Sequence, residues 1–90
     1  MNKKELVERI VEKSGLSKHD VEVTLKAFIE TVEETVASGD KVQLVGFGTF
    51  EPRERSARKG HDPRTGESID IPATRVPVFK AGKTFKDKLK

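Results

Sequence analysis

The sequence predicts an α+β domain: a helical hairpin, a small antiparallel sheet, and a long basic β-ribbon arm that projects from the sheet. Three observations carry this prediction. Apolar residues recur at helical spacing through residues 3–37 and alternate at strand spacing soon after. Residues 53–75, RERSARKGHDPRTGESIDIPATR, hold only four apolar side chains, Ala57, Ile69, Ile71 and Ala73, too few to build a core. Apolar residues make up 33% of the 90-residue chain. That is thin for a monomer and points to a core shared between two chains.

The elements follow in order. Asn2 and Glu5 form a cap signal, and Leu6, Val7, Ile10 and Val11 make one apolar stripe, so a helix is predicted over about 3–14, stopped by Gly15. A second cap signal at Ser17 and Asp20 opens a helix of about 18–37, with Val21, Leu25, Phe28, Ile29, Val32 and Val36 at helical spacing. Val23 and Ala27 widen that stripe, which suits two neighbours, the first helix and a second subunit. Ser38, Gly39 and Asp40 end the helical hairpin of about 3–37.

Strand alternation resumes at Val42 and Leu44, turns through Gly46-Phe47-Gly48, and continues at Thr49-Phe50-Glu51. The sheet is predicted over about 41–52 and 76–80, where Val76, Val78 and Phe79 return the chain to the core. The arm occupies 53–75 as two limbs. Asp62-Pro63-Arg64-Thr65 suits a type I turn at its tip. Pro72 and Pro77 fit only at edges or bulges. After Gly82 a short basic helix is predicted over about 83–90, with Phe85 and Leu89 on one stripe. No internal repeat or linker divides the chain, so 1–90 reads as a single domain.

Charge is unevenly spread. Residues 1–40 sum to −3 and residues 41–90 to +6, within a total of +3. This asymmetry points to a polyanionic partner, nucleic acid or an acidic membrane surface, against the plain alternative of a solvated basic surface. The membrane reading is the weaker, because the arm has almost no apolar face to insert. Cysteine is absent, which excludes disulfides and thiolate metal sites. The lack of a signal-type apolar run or membrane-length span predicts a soluble, unsecreted, cytoplasmic protein.

Candidate catalytic and cofactor motifs fail on inspection. Gly46-Phe47-Gly48 would need a third glycine where Glu51 stands, and Ala81-Gly82-Lys83-Thr84 lacks the first glycine of a phosphate loop, which would fall at Pro77. His19 and His61 have no metal-ligand or nucleophile partner at useful spacing. The reading is therefore no enzyme, no metal and no cofactor. Phe47, Phe50, Phe79 and Phe85 are candidates for stacking on single-stranded bases, but core duty suits them and Phe28 better in a chain with so few large residues.

Four runs carry a family resemblance: Val45-Gly46-Phe47-Gly48-Thr49-Phe50, Arg55-Ser56-Ala57-Arg58-Lys59-Gly60, Asp62-Pro63-Arg64-Thr65-Gly66, and Ile71-Pro72-Ala73 with Val76-Pro77-Val78-Phe79. With the opening Met1-Asn2-Lys3-Lys4 they resemble, over residues 1–90, the bacterial histone-like DNA-binding proteins of the HU type. The resemblance implies an intertwined homodimer, or a dimer with a paralogous chain. Its helical base would carry a three-stranded antiparallel sheet, and each subunit would send one arm around duplex DNA. It implies a nucleoid-associated protein that binds, bends and compacts bent or distorted DNA through the minor groove, with RNA as a possible further ligand. A sequence-selective relative similar to integration host factor is the alternative.

By matching position, the resemblance makes Pro63 the intercalating wedge, although a proline there also suits a plain turn. Arg53, Arg55, Arg58 and Lys59 would line the minor groove or contact phosphates, with Arg64 and Arg75 in the same basic set. Gly46, Gly48, Lys3, Lys83 and Lys86 would sit beside the flanking backbone, and Phe28, Phe47, Phe50 and Phe79 would form the dimer core. The tip departs from the family's common Arg-Asn-Pro in reading His61-Asp62-Pro63. Asp62 would be repelled by phosphate unless it turns inward to cap the turn, and Arg64 would compensate for the lost arginine.

Overall fold

A computed structural model describes residues 1–90, which divide into two compact units, Met1–Glu34 and Thr35–Lys90. The first unit holds α1 (Lys3–Ser14) and most of α2 (Lys18–Ala37). Both helices start where the cap residues predict. The Asn2 side chain accepts from the Glu5 amide at 2.9 Å, and the Ser17 hydroxyl accepts from the Asp20 amide at 3.1 Å. Gly15 closes α1 by donating its N–H to the Val11 carbonyl. Val7 and Val21 are buried, while Phe28 and Ile29 remain about 40% exposed.

The second unit is built on a three-stranded antiparallel sheet ordered β1-β2-β5, with β1 at Val42–Leu44, β2 at Gly48–Arg55 and β5 at Thr74–Ala81. The turn into β2 is Val45-Gly46-Phe47, with the Phe47 amide donating to the Leu44 carbonyl at 3.0 Å. Gly46 takes φ +84, the left-handed value that the third position of a type II turn demands. Gly48 belongs to the strand rather than the turn, pairing with both Leu44 and Ala81.

The arm and the sheet are one ribbon. The rung Val42–Phe50–Phe79 is the last with three strands. Beyond it β2 and β5 continue alone to Arg55 and Thr74, past the sheet limits of about 52 and 76 that alternation suggests. Pro52 does not end β2, because it lies opposite Pro77. Neither proline has an N–H to donate, so the rung occupies a non-hydrogen-bonded position of the antiparallel ladder and costs it nothing. The ladder breaks at Ser56 and Ala57 on one limb and at Pro72 and Ala73 on the other. It then resumes in the same register as β3 (Arg58–His61) against β4 (Ser68–Ile71). The ribbon beyond the sheet, from Glu51 to His61, spans roughly 36 Å at about 3.3 Å per residue.

The last helix, α3, covers Lys83–Asp87 rather than running to residue 90. The final residues form turn bonds instead, and Leu89 is 82% exposed, so it does not share a packed stripe with Phe85. Phe85 packs among the other aromatics: it stacks on Phe47 at 5.4 Å, Phe47 meets Phe79 at 5.1 Å, and Phe79 meets Phe50 at 4.8 Å. These separations suit favourable offset and tilted ring pairs. The cluster pins the base of the ribbon.

Only Val7, Val21 and Val36 among the hydrophobic residues are buried, and no large side chain is fully enclosed. No helix is long and apolar enough to cross a membrane.

Candidate nucleic-acid interface

Three of the ribbon's basic residues sit opposite neutral partners. Arg53 faces Val76, Arg55 faces Thr74 and Arg58 faces Ile71. Arg53 and Arg55 are two residues apart on one strand, so they share a face. All three are exposed, as is Arg64, and none of the four makes an ion pair within the chain. Lys59 differs: it meets Asp70 across the ladder at 3.9 Å, with both side chains over three-quarters exposed. Such an exposed pair is weak and easily exchanged for a stronger anion. The arm therefore presents guanidinium groups whose donors are unspent.

The tip is closed by a hydrogen-bond set centred on Asp62. Its amide donates to the Glu67 carbonyl at 2.8 Å, its carbonyl accepts from the Gly66 amide at 2.8 Å, and its Oδ1 accepts from the Arg64 amide at 2.8 Å. The closing bond from Gly66 to Asp62 spans five residues, one more than the type I turn expected from Asp62 to Thr65. Gly66 at φ +73 makes the wider turn possible. The Asp62 carboxylate is thus turned inward, the arrangement that removes it from opposition to phosphate. Pro63 stays exposed at the apex.

Other candidate residues separate into distinct settings. Gly48 is buried, and a Cβ there would strike the Phe79 ring and lie 2.5 Å from the Lys80 carbonyl oxygen. Its glycine is explained by packing, without any contact to an outside ligand. Arg75 lies opposite Glu54 in the ladder, and its guanidinium donates to the Ala37 carbonyl at 3.2 Å. The last turn of α2 has no basic residue of its own, so Arg75 supplies the cation that its C-terminal carbonyls favour. Gly46, Lys83 and Lys86 are exposed near the aromatic cluster, and the Gly82 amide ties the start of α3 to the Phe47 carbonyl at 2.7 Å.

Lys3 lies in the first unit, where it lines a groove of about 650 Å³ with Lys4, Lys18, His19 and Lys26. Sequence spacing did not single out Lys4, Lys18 or Lys26. Four of the six basic residues of segment 1–40 converge there although that segment is acidic overall. At the base of the ribbon, Lys80 holds Glu51 at 2.9 Å, and this bond draws the Glu51 carboxyl below its ordinary value. No group of His, Asp or Glu residues is arranged to hold a metal.

Comparison with known proteins agrees with this geometry. The family described as bacterial DNA-binding protein matches residues 1–90. DNA-binding protein HU of Clostridium pasteurianum is 66% identical over 89 residues, covering 99% of this chain and 98% of that one. The Anabaena HU–DNA cocrystal structure superposes with a TM-score of 0.92 at 55% identity, covering 99% of this chain and 97% of that one. The V42I mutant of HU from Thermotoga maritima gives a TM-score of 0.75 at 41% identity over the whole of both chains.

Proposed function

Because the chain belongs to the bacterial DNA-binding proteins of the HU type, we propose that it is a non-enzymatic architectural protein of the nucleoid that binds duplex DNA with little sequence selectivity, bends it and compacts it. The observation that carries the reading is the ribbon itself. Arg53, Arg55, Arg58 and Arg64 are exposed and unpaired along a ribbon that a narrow groove can admit. Guanidinium groups donate to phosphates and base edges and are weakly hydrated, so they leave water at low cost. The minor groove offers a degenerate pattern, which makes its width and flexibility the readable features. Pro63 is exposed at the apex that the Asp62 bonds close, which supports reading it as the apolar wedge general to architectural minor-groove binders of this class.

The working unit is a homodimer. One copy leaves Phe28, Ile29, Phe47 and Phe79 about two-fifths exposed and buries three hydrophobic residues. A chain of this size is not stable on so small a core, and a second copy is the partner that covers those faces. Two copies bring two arms.

Binding to linear, nicked and four-way-junction DNA across a salt series tests this. Nicked and junction DNA are expected to bind tighter than linear duplex, and all affinities fall steeply with salt as counterions are released. Random-sequence DNA is expected to compete readily; resistance to it would place the chain with sequence-selective benders. No binding to plain duplex at low ionic strength would remove the reading.

A further inference from the structure

The groove of the first unit carries a charge that its surroundings do not share. It encloses about 650 Å³, and four lysines, Lys3, Lys4, Lys18 and Lys26, line it against one carboxylate, Glu22. The rest of residues 1–40 holds two basic residues, Arg9 and Lys13, against eight acidic ones. Helical spacing gathers the cations: Lys18, Glu22 and Lys26 recur every four residues along α2, and Lys3 and Val7 do so along α1. Lys3, Lys4 and Lys18 make no ion pair within the chain, and Lys26 reaches only Glu30, at 4.0 Å in an exposed and therefore weak pair. Val7 and Val23 give the groove an apolar stretch, and His19 adds a planar ring to the lining.

We propose that this groove is a binding site for a nucleoside polyphosphate, built from residues none of which belongs to the arm. Its volume falls within the range of small-molecule sites, roughly 300–1,000 Å³. Like charges around one concavity repel each other, and concave walls focus their field, so a compact anion of several charges relieves the repulsion more than a single phosphate does. Ammonium groups on flexible stems act as point charges for phosphate and can converge on a short phosphate chain. A duplex offers such a groove phosphate and sugar alone, because its bases are paired inside. A free nucleotide also brings a base face, which suits Val7, Val23 and the His19 ring. The single carboxylate, Glu22, is an acceptor for ribose hydroxyls. Phosphates on the lysines, ribose on Glu22 and base on the valines match each chemistry that the lining presents.

The test titrates the full chain with ATP, AMP and inorganic tripolyphosphate in magnesium-free buffer, followed by calorimetry and by NMR of the valine and isoleucine methyl groups. ATP is expected to bind with shifts centred on Val7 and Val23 and to weaken as salt is added. AMP, with about half the charge, should bind roughly tenfold more weakly. Tripolyphosphate should bind about fivefold more weakly, as the loss of roughly 40 Å² of apolar burial would give. Lys4→Gln/Lys26→Gln exchanges exposed residues of similar helix propensity. It should lower ATP affinity roughly tenfold with the circular dichroism of the protein unchanged. Tripolyphosphate binding as tightly as ATP overturns the assignment to a nucleotide. Shifts at Ile69 and Ile71 of the arm in place of the groove valines, or unchanged ATP affinity in the double variant, overturn the site. Absence of ATP binding overturns it outright, and groove shifts produced by a long duplex instead would assign the groove to DNA backbone. Each of these outcomes leaves the reading of the arm intact.

Discussion

Replacing Gly48 with alanine tests the base of the ribbon most directly. The added Cβ would collide with the Phe79 ring and stand 2.5 Å from the Lys80 carbonyl oxygen. A ring edge can yield by a small rotation, but the Lys80 carbonyl belongs to β5, whose residue Lys80 pairs with Thr49. Relief therefore requires the β2–β5 ladder to separate at its sheet end, where the aromatic cluster also sits. Overpacking that moves backbone costs about 3 kcal/mol, the upper part of the usual range. For a domain of this size that lowers the melting temperature by roughly 12–24 °C, read at fixed protein concentration because a dimer's melting point depends on it.

Two further glycines separate contact from conformation. Gly60→Ala would press on the Ile71 Cδ1 at 3.0 Å, the end of a flexible side chain, and meet Ile71 Cγ1 and Ile69 Cγ1 at ordinary contact distances of 3.7 and 3.8 Å, so its cost should stay under about 1 kcal/mol. Gly46→Ala meets nothing within 4 Å but must hold φ +84, at about 1–2 kcal/mol. The expected order is thus Gly48, then Gly46, then Gly60. Shrinking the ring in Gly48→Ala/Phe79→Leu should recover only part of the loss, because the Lys80 carbonyl remains. A Gly48→Ala protein within about 0.5 kcal/mol of wild type, or full recovery in the double variant, would refute the reasoning.

Four other outcomes follow from the same geometry. Glu51 is held below its ordinary carboxyl value chiefly by its bond to Lys80, so the stability it contributes is present above that ordinary value and is lost as pH falls through the lowered one. Glu51→Gln should flatten the acid limb of a pH–stability curve. Arg75→Gln removes the donor to the Ala37 carbonyl and should cost about 1 kcal/mol in chemical denaturation, with a smaller change in DNA affinity than Arg55→Gln gives. Pro63→Ala should reduce bending in a ring-closure assay more than it reduces affinity, and equal bending by the two proteins would sink the wedge. Finally, thermal stability should rise with protein concentration as dimer formation is driven, and a concentration-independent melting point would contradict the shared core.

Local chemistry was the legible part of the fold. The caps at Asn2 and Ser17, the glycine after α1 and the turn at Gly46 depend on residues within a few positions, and the structure has them in place. The extent of the ribbon was not legible, because proline in isolation reads as a strand end. Pro52 is tolerated because register gives it a rung, shared with Pro77, that asks for no N–H, and that register is set by a strand 25 positions away. The bond from Arg75 to α2 was not legible, since nothing near Arg75 in sequence announces the Ala37 carbonyl, 38 residues distant. The packing that demands glycine at 48 was not legible either, because the Phe79 ring that excludes a side chain arrives from another strand. Asp62 was legible as a condition: its carboxylate had to turn inward for the tip to face phosphate, and it does.

The distribution of order along the arm bears on how one chain can grip DNA of many sequences. A two-stranded ribbon alone is marginal in water. Here the aromatic cluster and the Glu51–Lys80 pair hold the inner end, and the Asp62 bonds hold the outer end. Between them the ladder is interrupted beside Pro72, where one limb has no N–H to offer. Fewer cross-strand bonds oppose bending at that joint than on either side of it, so the outer ribbon can follow a groove of variable width while the turn that presents Pro63 keeps its shape. Selectivity for shape over sequence then follows from the arm's mechanics as well as from the degenerate pattern of the groove. A ribbon stiff throughout would bind well only DNA already curved to match it, whereas one joint per arm lets the exposed arginines on either side of it, Arg53 and Arg55 within and Arg58 and Arg64 beyond, change their relative placement.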